Sequence, residues 1–269
     1  MLAYYLPLGW FYKTRIKTFS AGNIMRIFMN YFFVVLSIVL IKFSLSTGSV
    51  ISYIISMVCM FSIYECGYIF NDVITVQYEN KPTFRFRSYD ELKILEKHIQ
   101  NLITIRMVYF LLGLLWFKIF SDYFFGEILV IAINSTFLLI VYSIHNYLRS
   151  SLNAVTFFVL INLKYILPLS FFLPMSELMG VYPFIFFTSI VDQSLLTFAS
   201  KSYLGLGKMK IDYDKFRAIY FLCEFVFSVV LYLSSWIQYS YMCAVSFVAL
   251  YRIGGYYLAK KMIINVERL

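Results

Sequence analysis

SVISYIISMVCMFSIYECGYIFNDVITVQYENKPTFRFR, residues 49–87, decides the fold. Its first half, 49–70, is an apolar run long enough to cross a bilayer, since about 20 helical residues at roughly 1.5 Å each match a hydrocarbon core about 30 Å thick. Its second half, 71–87, turns abruptly ionic. Asn71, Asp72 and Glu79 are followed by Lys81, Arg85 and Arg87. A spanning helix that delivers a cluster of charge at its end brings ionic chemistry to one face of a membrane.

The rest of the chain agrees with this reading. Of 269 residues, 61% are hydrophobic, 21% aromatic and only 14% charged, whereas a soluble domain carries about 25% charged residues. Apolar runs at 24–46, 49–70, 102–121, 124–143, 152–174, 178–198, 216–234 and 236–258 predict about eight transmembrane helices. The expected fold is an all-α polytopic membrane helical bundle forming a single integral membrane domain over 1–269. Residues 1–23 are basic and amphipathic, and are expected to lie in the membrane interface. A basic n-region, a short apolar run and a small-residue cleavage site are not seen in order at the N-terminus, so no cleavable signal peptide is expected.

Charge places the loops. Lys13, Arg15 and Lys17, the cations of 81–97, Arg149, Lys201 to Lys215 and the C-terminal Lys260, Lys261 and Arg268 all fall on one side of an eight-span topology. The turns near 47–48, 122–123, 175–177 and 235 are nearly free of Lys and Arg. The positive-inside rule makes the basic side cytoplasmic, with both termini there. The net charge of +9 is read as this loop bias, and no nucleic-acid partner is expected. Cys59, Cys66, Cys223 and Cys243 sit in apolar runs without a C-x-x-C pair, and read as small core residues.

Two basic-side loops are long, 71–101 and 199–215. In the first, Ser88 and Glu91 form a capping-box pattern that starts a helix, expected to run straight into the third span. Asp72 and Glu79 are seven residues apart, so on a continued helix they share a face. With the Asn71 amide they form a hard-oxygen set suited to Mg²⁺. The same spacing also describes a solvated loop that happens to hold two acids. Pro82 ends any helix. Beyond it, Arg85 and Arg87 alternate with Phe84 and Phe86, which in an extended segment separates guanidiniums for phosphate from rings for the bilayer interface. Positive-inside bias with aromatic anchoring explains those cations equally.

Within the spans, Glu65, Lys164 and Asp192 are costly in lipid and should face protein or a wet cavity. Lys164 with Asp192 is one possible pair, and Glu224 with Arg252 reads as a structural pair. Lys201 and Tyr203, in SLLTFASKSY at 194–203, suit either a phosphate or a snorkelling lysine at the membrane face. His98 and His145 are isolated from each other, and no zinc spacing, P-loop, nucleophile elbow or dinucleotide fingerprint is present.

These motifs, taken in order over roughly residues 60–205, resemble the UbiA superfamily of intramembrane prenyltransferases. That family carries N-D-x-x-D-x-x-x-D after its second span and another polar motif after its sixth. Asn71, Asp72 and Glu79 fall at matching positions, and Thr75 stands where an acid is usual. KPTFRFR at 81–87 is similar to the H-P-T-K-R-x-R-P ending of the decaprenyl-phosphate phosphoribosyltransferase branch. SLLTFASKSY is similar to that branch's S-L-F-M-V-x-x-K-R-Y. Tyr142 and Ser143 end the fourth span as in the family, and Asn153 and Lys164 stand where the branch tends to place an Asp and an Arg.

The resemblance implies a UbiA-like bundle of eight to nine helices in a bacterial inner membrane, with its active site on the cytoplasmic side. It implies Mg²⁺-dependent transfer of a 5-phosphoribosyl group from phosphoribosyl diphosphate to a polyprenyl phosphate, serving cell-envelope glycan synthesis. Asp72, Asn71 and Glu79 would hold the metal. Lys81, Arg85, Arg87, Lys201 and Tyr203 would hold phosphates, Lys164 would stabilise charge, and Tyr142, Asn153 and Asp192 would wall the site. Two alternatives stay open. One is a UbiA-type prenyltransferase using a prenyl diphosphate and a small acceptor. The other is a non-enzymatic transporter or inactive membrane partner.

Overall fold

The structure is a computed structural model that describes residues 2–16, 27–78, 85–86, 88–148, 152–195, 212–235 and 237–260. Among them every regular element is helical. In chain order the α-helices are α1 (Leu2–Tyr5), α2 (Gly9–Arg15), α3 (Phe33–Phe43), α4 (Thr47–Val73), α5 (Tyr89–Lys97), α6 (Ile99–Phe120), α7 (Ile128–Tyr147), α8 (Leu152–Leu169), α9 (Met175–Ile185), α10 (Tyr213–Leu233) and α11 (Tyr239–Lys260). Six helical stretches among the described residues are long and apolar enough to cross a membrane: Thr47–Tyr78, Ile99–Phe120, Ile128–Tyr147, Leu152–Leu169, Met175–Leu195 and Lys215–Leu233. The first of the eight expected runs holds a shorter apolar helix, Phe28–Phe43. The last holds the 22-residue α11, which is not among the six. The chain is therefore a helical membrane protein.

By its internal contacts the chain divides into two compact units, one drawn from Met1–Phe19 and Leu45–Leu178, the other from Ser20–Ser44 and Met179–Leu269.

In the first unit α4 is the central helix and packs against α6, α7 and α8. Its sequence explains that position. Ser49, Ser52, Ser56, Cys59, Ser62 and Cys66 recur every three or four residues, and all are buried. A stripe of small side chains lets neighbouring helices approach closely, which is how helices associate without a hydrophobic drive between them. Gly113 of α6 lies against Cys59, where an added Cβ would come within 2.2 Å of its sulfur. Gly67 does the same for the Tyr142 ring of α7. The start of α4 is closed reciprocally: Ser46 Oγ accepts from the Ser49 N–H at 3.1 Å, and Ser49 Oγ accepts from the Ser46 N–H at 3.0 Å. Ser52 and Ser121 hydroxyls pair at 3.0 Å, tying α4 to the end of α6.

The predicted start of α5 is present, with Ser88 Oγ accepting from the Glu91 N–H at 3.2 Å. Its continuation into the third span is not. The helix ends at Lys97, His98 leaves helical geometry at φ −103° and ψ 7°, and α6 begins at Ile99. Packing gives the reason. Leu92 and Leu95 are buried in a core with Trp10, Ile69, Val73 and Leu102, and Lys93, Glu96 and Lys97 are exposed. That helix is amphipathic, whereas α6 is mostly apolar and long enough to cross a membrane.

In the second unit α10 and α11 pack along one another. Met29, Phe221, Val248 and Ala249 form its buried core, with Phe33 and Phe225 packed around them. A π-helical stretch, Phe186–Val191, widens the helix just before Asp192. Such wide turns are often found at functional positions.

Candidate functional site

The site grows from the end of α4. Asp72 lies in the last turn of that helix, where the helix dipole already presents partial negative charge. A buried carboxylate there requires cations. Arg15 supplies them in a fork: Nη1 donates to Oδ2 at 2.8 Å and Nη2 to Oδ1 at 3.0 Å. Trp10 Nε1 donates to Oδ2 at 3.0 Å, and the Asn71 amide donates to Oδ1 at 3.2 Å. Arg85 Nε stands 3.4 Å from Oδ1. The carboxylate is 1% exposed, Arg15 14% and Arg85 34%, so the cluster opens toward Arg85.

Aromatic rings complete the cluster. The Arg15 guanidinium lies 4.2 Å from the Tyr68 ring centre, within the range of a cation–π contact. Tyr68 and Tyr64 meet Tyr142 edge to face at 5.7 and 5.1 Å. Trp10 is fully buried between Tyr4 and Phe86. Burial opposes the Arg85 charge, Arg15 beside it opposes it further, and Asp72 offsets only part, so the Arg85 pKa is lowered. Burial also opposes the charge of Arg15, but Asp72 and the neighbouring tyrosines outweigh it and raise its pKa. Two guanidiniums share one carboxylate, which leaves the cluster with one uncompensated positive charge among the described residues.

A second network pins the segment that carries Trp10 and Arg15. Glu65 Oε2 accepts from Arg106 Nε at 2.7 Å, and Oε1 accepts from the Phe11 N–H at 2.8 Å. Arg106 also donates to the carbonyls of Tyr4 at 2.8 Å and Tyr5 at 2.9 Å. All of this is fully buried at Glu65 and Arg106. The described part of the N-terminal segment buries Trp10, Phe11 and Thr14 against protein and leaves Tyr12 and Lys13 exposed.

The sequence-predicted residues fall into three groups. Asn71, Asp72, Arg85 and Tyr142 come together, as just described. The Thr75 hydroxyl, at the position where an acid was expected, donates back to the Asn71 carbonyl at 2.9 Å and lies 3.1 Å from Asn71 Oδ1, so one proton is shared between the two oxygens. Lys164 and Asn153 belong to α8 of the first unit. Lys164 is buried, its Nζ 4.6 Å from the Tyr165 ring centre. The Asn153 amide donates to the carbonyls of His145 and Leu148, at 2.9 and 3.0 Å, and so closes the end of α7. Asp192 belongs to the second unit, where Arg217 at 3.1 Å and Arg252 at 3.6 Å hold its carboxylate. Within this unit Arg252 turns to Asp192 in place of the pairing with Glu224 expected from sequence. Glu79, Lys81, Arg87, Lys201 and Tyr203 lie outside the described residues.

The expected Mg²⁺ can be tested against the donors present. Asp72 has both oxygens engaged by Arg15, and Asn71 Oδ1 by Thr75. The α-helix stops at Val73 and a tighter 3₁₀ turn follows over Thr75–Tyr78. No group of three His, Cys, Asp or Glu side chains suited to a metal exists among the described residues. Asp72 and Asn71 by themselves do not make up such a set, and the third expected ligand, Glu79, lies outside the described residues.

Sequence reasoning missed Trp10, Arg15 and Arg106 as members of these networks. Arg106 carried a signal, an arginine within an apolar run. Arg15 was counted only as loop charge, and Trp10 carried no signal. No family model, no curated protein and no solved structure matches the chain.

Proposed function

We propose that the chain is a membrane transferase for phosphate-bearing substrates, in which Arg15 and Arg85, held by Asp72, bind the phosphate. The specific reaction is the one implied by the motif order: transfer of a phosphoribosyl group from phosphoribosyl diphosphate to a polyprenyl phosphate. The observation that carries the reading is the convergence of two guanidiniums on one buried carboxylate, with one positive charge in surplus and Arg85 partly open. A planar guanidinium fork suits phosphate oxygens, and a cation held in advance costs little reorganisation when negative charge develops.

In this reading an oxygen of the lipid phosphate attacks the anomeric carbon of the ribose. The bond from that carbon to the diphosphate oxygen breaks, and the diphosphate leaves with the bonding electrons. Arg85 and Arg15 stabilise the departing charge. Asp72 holds the two arginines in register, which gives that residue a positioning role in place of metal ligation. The Tyr64, Tyr68 and Tyr142 cluster keeps the inner side of the guanidiniums apolar, where a charge–charge contact is stronger than in water.

The test is transfer by purified full-length protein in detergent, given labelled phosphoribosyl diphosphate and polyprenyl phosphate, with and without Mg²⁺. The reading expects label in the lipid phase and a fall of at least about a hundredfold in Arg85→Ala, the scale of losing one charge-stabilising donor. Turnover of a prenyl diphosphate instead would favour prenyl transfer. Binding of polyprenyl phosphate without turnover of either donor would favour a carrier.

A further inference from the structure

The second unit holds a cavity that the transfer reading does not use. Its volume is about 560 Å³, within the range of small-molecule sites. Its walls come from α9 and the turn after it, from α10 and from the start of α11. The walls are mostly apolar and aromatic, with Phe184 and Tyr241 rings 5.2 Å apart and Phe187 and Phe227 rings 6.5 Å apart. Among them stands one carboxyl group, that of Glu224. Its Oε2 is buried and has no hydrogen-bond partner among the described residues. The arginines that could have served it, Arg217 and Arg252, hold Asp192. The Tyr220 hydroxyl, one turn away, donates to the Phe187 carbonyl.

An open acid in an apolar, lipid-facing bundle is expensive unless something compensates it. Aromatic faces attract cations and disfavour anions. We infer that this cavity binds a small apolar molecule carrying an ammonium group, which pairs with Glu224 while its apolar body lies against the aromatic walls. A plain lipid chain would leave Glu224 without a partner, and an anionic amphiphile would meet repulsion from it.

Three probes with one skeleton and different heads test this: phenylbutylamine, phenylbutanol and phenylbutyrate, titrated calorimetrically into full-length protein in a non-ionic detergent near neutral pH. The amine should bind at least about tenfold more tightly than the alcohol, and the acid should not bind, since one charge-assisted contact is worth that factor or more. Glu224→Gln should weaken the amine about tenfold and leave the alcohol unchanged. Gly180→Leu should weaken amine and alcohol alike, because Gly180 lines the cavity and an added Cβ there meets no atom within 4 Å. Equal affinity for amine and alcohol in the native protein would overturn the inference, with no variant required. So would an amine affinity unchanged in either variant.

Discussion

Glu65 and Glu224 are the same side chain in two spanning helices, and the two units treat them in opposite ways. Glu65 in α4 is fully buried and fully satisfied, by Arg106 from α6 and by the Phe11 N–H from the N-terminal segment. Glu224 in α10 has a buried oxygen that no described group reaches. The difference teaches where to look for structure and where to look for ligands. A buried acid whose partners come from distant parts of the chain is a fastening. A buried acid beside a cavity, with the neighbouring arginines committed elsewhere, is a place for something from outside. Asp72 lies between these cases, because it is fully bonded yet assembles more positive charge than it neutralises.

One substitution made at both positions sharpens the contrast. Glu65→Gln leaves the buried Arg106 guanidinium without its counter-charge and should destabilise the first unit by about 3–5 kcal/mol. The readout is thermal unfolding in detergent followed by thiol labelling of the buried Cys59 and Cys66. Trp10→Phe comes next. It keeps a ring in the core but removes the donor to Asp72, at a cost of about 2 kcal/mol, the worth of a hydrogen bond to a charged group. The labelling assay should report it as a smaller shift of the same sign. Ser88→Ala removes the N-terminal cap of α5 and should cost about 1 kcal/mol. Glu224→Gln should have the smallest effect, within about 0.5 kcal/mol, since the buried carboxyl oxygen it replaces has no hydrogen-bond partner to lose among the described residues. A loss at Glu224 as large as that at Glu65 would break the comparison.

Much of the helical architecture could be read from sequence because apolar length is a strong signal, and because buried small residues at 49, 52, 56, 59, 62 and 66 mark a face. The break at His98 could not, since no proline or glycine marks it and the change of direction follows from where Leu92 and Leu95 pack. The site was half readable. Asp72 and Arg85 stood out as charges beside an apolar run. Arg15 did not, because it lies 57 residues from Asp72 and shares the look of any basic loop residue. The metal reading assumed that α4 carries on past Asp72 as a helix with free oxygens. Arg15 bonds both Asp72 oxygens, a contact that no spacing in the sequence shows.

The central claim is that Arg15 and Arg85, positioned by Asp72, bind phosphate. Titration of diphosphate into the purified full-length protein, monitored calorimetrically without added metal, tests it most directly. The account predicts saturable binding to native protein, weakened at least about tenfold in Arg85→Ala, partly kept in Arg85→Lys, and weakened by rising salt. Binding that is equal in the native protein and in Arg85→Ala, or binding that appears only when Mg²⁺ is added, would contradict it.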